Sequence, residues 1–320
     1  MNTTRLGNTD LNVSRLCFGC WQLSPAFWGD IDIKPWEQSI HAAVDSGINF
    51  LDTADAYGNG YAEEQLGALM HRENLRDKFI IATKFYWNFT DPDARFADTT
   101  YDYIISACEA SLRRLQTDHI DLYQIHGWDP ITRPDEVARA FAKLKSEGKV
   151  RWFGVSNMNP EQMELYRAHF EVSSLQPHYN LLHRGIEQRE LPYCLRHNIG
   201  VINYSPLFRG LLGGRYTAGS VIDGARASGP MFHGEGLRII TEAVDKAKAM
   251  AADLDLTIAQ LAIRWTLTHP AITSPIVGVK KPDHILGALK AAEAVLPPDP
   301  WPSVGPLFTT AVAAVAALDT

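Results

Sequence analysis

Short apolar runs alternate along the chain with longer segments in which apolar residues recur at helical spacing. The intervening segments, such as KPWEQSIHAAVDSG and PDEVARAFAKLKSEG, carry Gly or Pro at their borders, as helix ends commonly do. This pattern predicts strands that alternate with amphipathic helices. The eight predicted strands cover residues 15–19, 48–52, 79–84, 120–126, 150–156, 173–176, 200–205 and 274–279.

Repeated strand-helix-strand units with short connections predict parallel strands, because neighbouring parallel strands need a crossover between them. Eight such units close a (β/α)8 TIM barrel, an α/β fold. The leading RLGNTDLNVSRL predicts an N-terminal β-hairpin that covers the lower end of the barrel. We expect a single domain over residues 1–320, since no Pro-, Ser- or charge-rich linker separates two cores.

Two segments are longer than a crossover requires. Residues 206–234 are rich in Gly and small residues, which favours a mobile surface loop. The last 25 residues, LPPDPWPSVGPLFTTAVAAVAALDT, form an extended C-terminal segment that begins with prolines and ends in a weakly amphipathic Ala/Val run. A doubly wound sheet is the rival fold, but YGNGYAEE lacks the G-x-G-x-x-G dinucleotide signature.

Charge and composition exclude several classes of protein. The net charge is -7 and Lys and Arg are dispersed, so neither nucleic acid nor an anionic membrane is an expected partner. Apolar runs are too short to cross a bilayer, and the N-terminus lacks a cationic region followed by an apolar one. We therefore expect a soluble, cytoplasmic protein.

Cysteine usage agrees with a reducing compartment, because four cysteines are too few for a disulfide framework in 320 residues. Cys17 and Cys20 form a C-x-x-C pair. Zinc would need two further ligands at short spacing, and a redox pair normally opens a helix, whereas this pair lies in a predicted strand. We predict no metal site.

The candidate chemistry lies at the carboxyl ends of the predicted strands, which line one mouth of a (β/α)8 barrel. Asp52, Lys84 and His126 end the second, third and fourth strands, and Tyr57 follows in the second loop. A phenol with a pKa near ~10 is a poor acid at neutral pH unless a positive charge stabilises the phenolate. Lys84 can supply that charge, Asp52 can keep Lys84 protonated, and His126 can orient a carbonyl oxygen.

Each of these four residues also has an ordinary structural interpretation. An Asp after a strand is often a cap, a Lys is usually solvated, a loop Tyr usually packs, and a buried His usually makes a hydrogen bond. Four such residues at consecutive strand ends favour a joint function, namely protonation of an oxygen that becomes negative in the transition state.

These motifs resemble the aldo-keto reductases. FLDTADAYGNGYAEEQLG, IIATK and DLYQIHGWDP match the family's Asp, Tyr, Lys and His at Asp52, Tyr57, Lys84 and His126, and GKVRWFGVSN and NYSPL match its fifth and seventh strands. The resemblance extends over nearly the whole chain to SPIVGVKKPDHI. It implies an NADP(H) cofactor, or NAD(H), bound extended across the barrel mouth without a Rossmann unit.

The resemblance also implies a set of cofactor contacts. The carboxamide of nicotinamide would bind to Ser156, Asn157 and Gln176, its ring would stack on Tyr204, and the loop that begins at Ser205 would cover the pyrophosphate. The full set assigned to the cofactor is Trp21, Asp52, Ser156, Asn157, Gln176, Tyr204, Ser205, Pro206, Leu207, Arg209, Gly210, Arg215, Gly278, Lys280 and His284.

One departure from the family pattern concerns the adenine end of the cofactor. Lys280 occupies the basic position for a 2'-phosphate, but Gly287 and Ala288 align with the family's Glu-Asn pair. A lysine offers a point charge rather than the fork of an arginine, so NADP(H) is favoured over NAD(H) only moderately.

Aromatic residues near the strand ends predict the substrate pocket. The residues assigned to substrate are Trp21, Tyr57, Tyr86, Trp87, His126 and Trp128. Some of these rings are equally explained by packing, and the pocket suits either a sugar ring or a hydrophobic aldehyde.

The sequence thus predicts an NAD(P)H-dependent aldo-keto reductase with Tyr57 as proton donor. One alternative is an NAD-dependent sugar dehydrogenase that works in the oxidative direction. The other is a regulatory barrel similar to a potassium-channel β-subunit, although those subunits usually have Asn at the position of His126.

Overall fold

Eight parallel strands form the central sheet of the protein in the computed structural model, which describes residues 1–29, 31–91, 94–224, 227–296 and 303–319. The strands are β1 (Thr3–Arg5), β2 (Asn12–Ser14), β3 (Cys17–Gly19), β4 (Phe50–Asp52), β5 (Ile80–Phe85), β6 (Trp87–Asn88), β7 (Phe96–Ala97), β8 (Ile120–Ile125), β9 (Val150–Ser156), β10 (Ser174–Gln176), β11 (Gly200–Val201) and β12 (Ile276–Gly278). The helices are α1 (Pro25–Trp28), α2 (Ile33–Asp45), α3 (Tyr61–Glu73), α4 (Tyr101–Leu115), α5 (Pro134–Ser146), α6 (Pro160–Arg167), α7 (Glu190–Arg196), α8 (Gly234–Ala252), α9 (Ile258–Thr266), α10 (Pro282–Glu293) and α11 (Val304–Ala316).

All eight predicted barrel strands occur in this sheet, in the order β11-β10-β9-β8-β5-β4-β3-β12. The two ends of the order also meet, because the amide of Thr273 donates to the carbonyl of Val201 and that of Ile276 to Asn203, both at 2.8 Å. The predicted (β/α)8 barrel is therefore confirmed. The seventh strand is shorter than predicted, since the ladder to β10 ends at Val201.

The N-terminal hairpin is also confirmed. Strands β1 and β2 pair in antiparallel register from Thr3 opposite Ser14 to Arg5 opposite Asn12. Leu6 and Leu11 in the connecting turn are buried with residues that point into the barrel from β3, β4, β5 and β8. The hairpin thus closes the amino-terminal end of the barrel, as the sequence predicts, and leaves the opposite mouth open.

A larger core lies between the sheet and the surrounding helices. Apolar faces at helical spacing produce it, as where Phe141 of α5 stacks on Phe153 of β9 with ring centroids 4.0 Å apart. Trp36 of α2 meets Phe18 of β3 edge to face at 6.1 Å. This packing holds the strand ends that carry the candidate site.

The two long segments differ from a plain extended connection. The part of residues 206–234 that the structure describes buries Leu211, Leu212, Ile222 and Phe232 against the core, while residues 225–226 lie outside the described chain. The C-terminal Ala/Val run forms α11, which buries one side against α8. The preceding prolines, within residues 297–302, lie outside the described residues.

The sequence did not predict the small hairpin of β6 and β7. Its strands follow β5 directly and pair Trp87 with Ala97 and Asn88 with Phe96. With two residues in each strand, the hairpin has no hydrophobic period by which a sequence pattern can be recognised.

Candidate active site

A buried ion pair lies at the carboxyl ends of β4 and β5. Lys84 is fully buried, and its Nζ donates to Asp52 Oδ1 at 2.7 Å, to the carbonyl of Thr53 at 2.7 Å and to the hydroxyl of Tyr57 at 3.3 Å. The ammonium group therefore has three acceptors. A buried charge is stable only when it is paired and hydrogen-bonded in this way.

The partner carboxylate, Asp52, is held from the opposite direction. Its Oδ2 accepts a hydrogen bond of 2.8 Å from Nε2 of Gln176, at the end of β10 across the barrel. Burial raises the pKa of Asp52, and Lys84 opposes that rise. Burial alone would lower the pKa of Lys84, but the Asp52 carboxylate and Tyr57 outweigh it and raise that pKa. We conclude that Lys84 keeps its proton at neutral pH.

Tyr57 lies in the loop after β4, with its ring 5.0 Å from the Lys84 ammonium. Burial raises the pKa of Tyr57 to about 12, and the opposing effect of Lys84 is smaller. From the sequence we predict that the charge of Lys84 lowers the pKa of the Tyr57 phenol. The net shift is upward instead, because the effect of burial exceeds that of the lysine charge, so the hydroxyl retains its proton across the neutral range.

His126 follows β8 and presents its ring edge to face with Tyr57, with centroids 6.0 Å apart. Burial lowers its pKa to about 3, and the charges of Lys84 and Arg95 add to that effect. Its Nδ1 is buried with no hydrogen-bond partner among the described residues. At neutral pH the imidazole is therefore neutral, so it can offer a hydrogen bond but no charge.

A cavity of about 800 Å³ opens above these groups. It brings together most of the residues that the sequence assigned to the site. Those that line it are Trp21, Asp52, Tyr57, Trp87, His126, Asn157, Gln176, Tyr204, Ser205, Pro206, Leu207, Arg209, Gly210, Arg215, Gly278, Lys280 and His284.

Four of the assigned residues do not line the cavity. Lys84 lies behind Tyr57 and reaches the cavity only through its hydrogen bonds. The hydroxyl of Ser156 donates to the carbonyl of Gln176 at 2.8 Å, so it faces the sheet. The hydroxyl of Tyr86 donates to the carbonyl of Trp128 at 2.8 Å. The Trp128 ring packs edge to face on that of Tyr166 in α6, with centroids 5.6 Å apart. The structure therefore does not place Ser156, Tyr86 or Trp128 at the proposed contacts.

Several residues that we did not predict from the sequence also line the cavity. Phe27 and Trp28 of α1 surround Trp21, with ring centroids 5.3 and 5.4 Å from it. The run WQLSPAFW after the first strand carries that aromatic signal. Arg95, from the turn between β6 and β7, and His178, two residues after β10, also line the cavity. No pattern in the sequence marks those two positions.

Tyr204 provides a flat surface on one wall of the cavity. Its ring is nearly parallel to that of His178, with an interplanar angle of 6° and centroids 5.0 Å apart. Its hydroxyl donates to Oδ1 of Asn157 at 3.0 Å. Asn157 and Ser205 have φ values of 56° and 55°, which non-glycine residues rarely adopt. Backbone strain of this kind is concentrated at functional sites.

Backbone conformation also shapes the loop after Tyr204. Phe208, Arg209 and Gly210 have consecutive positive φ values of 44°, 53° and 100°. On the other side, a Cβ at Gly278 would lie 2.0 Å from Nε2 of Gln22, so the amide end of that side chain packs directly on the glycine. Both features bring main chain close to the cavity.

Cys17 and Cys20 are buried free cysteines, and burial raises the pKa of both thiols. Within the described ranges, His, Cys, Asp and Glu side chains form no group of three or more that could hold a metal ion. Of the helices that the structure describes, none combines the length and apolarity needed to cross a membrane.

Comparison with known proteins agrees with this geometry. The model of the Aldo/keto reductase family matches residues 15–305. Aldo-keto reductase YhdN of Bacillus subtilis (strain 168) is 35% identical over 288 residues, which span 89% of this chain and 87% of that protein. The NADH-specific methylglyoxal reductase of Escherichia coli (strain K12) is 31% identical over 300 residues, 89% of this chain and 91% of that one.

Among solved structures, the glycerol dehydrogenase AKR11B4 from Gluconobacter oxydans superposes with a TM-score of 0.88 at 33% identity, covering 97% of this chain and 96% of that chain.

Proposed function

The chain belongs to the aldo/keto reductase family, and on that premise we propose that it transfers hydride between a nicotinamide cofactor and a carbonyl carbon, with Tyr57 as the proton donor in reduction. One observation carries the proposal. A neutral phenol contacts a buried, charge-paired lysine on the floor of an 800 Å³ cavity, with a neutral imidazole beside it.

The residues around the cavity suit a nicotinamide dinucleotide. Asn157 and Gln176 offer amide groups, and Tyr204 offers a ring for stacking. Arg209 and Lys280 bring positive charge to the cavity wall, and the left-handed backbone of residues 208–210 carries Arg209. When bound, the reduced nicotinamide supplies the hydride.

Tyr57 would supply the proton. The carbonyl oxygen becomes negative as the carbon is reduced, and the Tyr57 hydroxyl, which keeps its proton at neutral pH, gives that proton to it. Lys84 stabilises the phenolate left behind, because its ammonium group lies 3.3 Å from the hydroxyl oxygen. Asp52 keeps Lys84 protonated and in place.

His126 would orient the substrate. Its imidazole is neutral, so it offers a hydrogen bond to the carbonyl oxygen beside Tyr57. In oxidation the same residues act in reverse. The Tyr57 phenolate accepts the proton of the alcohol, and the ammonium group of Lys84 stabilises that phenolate before the transfer.

The cofactor that we propose is NADP(H), with NAD(H) as the alternative. Lys280 lines the cavity and favours a 2'-phosphate, whereas Gly287 and Ala288 line it without the carboxylate and amide expected for adenine. Tryptophan fluorescence quenching with NADPH and NADH measures the preference. NADPH binding no tighter than NADH binding would favour the NAD alternative.

A second candidate function is oxidation of a sugar or polyol. The similarity to a structure described as a glycerol dehydrogenase favours it, and the proposed residues serve either direction. Assays of aldehydes, ketones, aldoses and polyols with both cofactors distinguish the two. Bound cofactor with a negligible rate on every compound would instead favour the regulatory interpretation.

Replacement of Tyr57 tests the catalytic assignment. Tyr57→Phe removes the proton and keeps the ring, so the rate of NADPH oxidation with 4-nitrobenzaldehyde should fall by about 10²- to 10⁴-fold, the usual contribution of a general acid. Tyr61→Phe is the matched control, because Tyr61 is exposed at the start of α3 and does not line the cavity. Undiminished turnover by the Tyr57 variant would refute the assignment.

A further inference from the structure

Arg95 lines the catalytic cavity although neither the proton-transfer scheme nor the cofactor contacts use it. It belongs to the turn between β6 and β7, the hairpin that follows β5. Its guanidinium lies 5.5 Å from the ring of Trp87, which also lines the cavity. A guanidinium that is oriented by an aromatic face still has N–H donors free to bind a ligand.

Within the described part of the chain, Arg95 makes no hydrogen bond or ion pair, and the nearby acids have other partners. Both oxygens of Asp98 accept hydrogen bonds, one from Asn88 at 2.9 Å and the other from Thr100. Asp129 is bound by Thr99, by Thr132 and by the amide of Ile131.

The charge of Arg95 acts on the pKa of Asp55, but among the described residues the two form no ion pair. Burial raises the pKa of Asp55 well above its usual range, and the repulsion from Glu63 adds to that rise. Arg95 thus brings to the cavity a positive charge that no acid among the described residues binds in an ion pair. That charge is close enough to His126 to contribute to the low pKa of its imidazole.

The strand order separates this charge from the cations proposed for the cofactor. Strand β5 lies between β4, which precedes Tyr57, and β8, which precedes His126. Arg209 follows β11 and Lys280 follows β12, at the two ends of the strand order that meet on the opposite side of the barrel. Arg95 is thus on the side where the carbonyl substrate reacts.

We propose that Arg95 anchors a carboxylate or phosphate group of the substrate, so that the enzyme prefers carbonyl compounds that carry a negative charge. This inference rests on the proposed function, since it assigns the substrate class of the same site. The shared chemistry is an anionic oxygen pair that a guanidinium binds with two parallel hydrogen bonds. The ring of Trp87, which also lines the cavity beside Arg95, would cover part of the rest of the substrate.

A matched pair of aldehydes tests the charge preference. The wild-type protein should reduce 4-carboxybenzaldehyde with a kcat/KM about 10- to 100-fold above that for methyl 4-formylbenzoate, the range of one charge-assisted hydrogen bond. Arg95→Gln should remove that advantage, so that kcat/KM falls by this factor for the acid and changes far less for the ester. Glyceraldehyde 3-phosphate against glyceraldehyde distinguishes a phosphate from a carboxylate preference.

Arg139→Gln is the control for loss of one positive charge. Arg139 is also exposed and lies 5.9 Å from an aromatic ring, that of Tyr101, but it does not line the cavity. This variant should keep the wild-type preference. Equal losses on acid and ester in Arg95→Gln, or no preference in the wild-type protein, would overturn the inference.

A binding measurement separates this inference from the proposed reaction. The alcohol product, 4-(hydroxymethyl)benzoate, should quench tryptophan fluorescence with a Kd at least tenfold below that of its methyl ester, and Arg95→Gln should abolish the difference. Reduction of neutral aldehydes without any anion preference would overturn only the Arg95 assignment. Arg95-dependent anion binding without reduction of any aldehyde would overturn only the proposed reaction. Absence of anion binding, with or without cofactor, also contradicts the Arg95 assignment.

Discussion

Two lysines, Lys84 behind the cavity and Lys280 lining it, show how environment decides the role of a side chain. Lys84 is fully buried and holds three hydrogen bonds, one of them to the Asp52 carboxylate. Lys280 is half-buried, with its Nζ 4.8 Å from the ring of Trp28. The buried, paired charge of Lys84 acts at short range, in low dielectric, on the Tyr57 oxygen. The partly solvated charge of Lys280 can instead exchange bound water for a phosphate group of a ligand.

Different structural features position the charged groups on the two sides of the barrel mouth. The side with Tyr57 depends on buried side chains whose hydrogen bonds fix their positions. The opposite side depends on the left-handed backbone of residues 208–210 and on cations that remain accessible. Replacement of Lys84 should therefore lower both the stability of the fold and the reaction rate. Replacement of Lys280 should lower only the affinity for the cofactor.

The largest effect is expected for Lys84→Met. It leaves Asp52 as an unpaired buried charge, so the free energy of unfolding should fall by about 3–5 kcal/mol, and the rate constant of carbonyl reduction should fall by about 10²-fold or more. Urea unfolding and kcat for 4-nitrobenzaldehyde measure the two losses. The double variant Asp52→Asn, Lys84→Met should recover much of the stability but none of the rate. Recovery of both would show that the pair is only structural.

A smaller and selective effect is expected for Lys280→Met. The Kd for NADPH should rise by about tenfold, the contribution of one charge-assisted contact, while the Kd for NADH and the urea midpoint should stay level. Fluorescence titration measures both constants. An equal loss for the two cofactors would mean that Lys280 does not distinguish the 2'-phosphate, and the contrast between the lysines would then be one of burial alone.

The smallest effect concerns pH. The pKa values of His126, about 3, and Tyr57, about 12, place both ionisations outside pH 5–9, so the kcat of reduction should vary by less than about twofold there. A histidine-dependent fall in kcat near pH 6.5 would contradict a neutral, buried His126.

The same low pKa has a consequence for stability. The unfolded chain binds the His126 proton near pH ~6.5, the folded chain only near pH 3, and so the unfolded state gains protons first as pH falls. The free energy of unfolding should therefore decrease from pH 6.5 towards 3. Urea midpoints at pH 7 and pH 5 measure this decrease, and His126→Asn should reduce it.

Much of the fold could be predicted from local pattern. Parallel barrel strands are buried on both faces, so they leave short apolar runs that survive in the sequence, and the leading hairpin leaves turn residues between alternating positions. The hairpin of β6 and β7 could not be predicted, because two-residue strands have no period. Arg95 lies between these two strands, so the sequence pattern does not predict it as a residue of the site.

The strands and the polar residues at their ends can be predicted from the sequence, because burial and hydrogen bonding of each strand impose a residue pattern that can be recognised locally. The direction in which those side chains point depends instead on the assembled barrel. Ser156 and Tyr86 are adjacent to strand ends, yet their hydroxyls bind main-chain carbonyls instead of the cavity. Tyr57 has a raised pKa because it is surrounded by residues far apart in the chain, and the effect of that burial exceeds the opposing effect of Lys84.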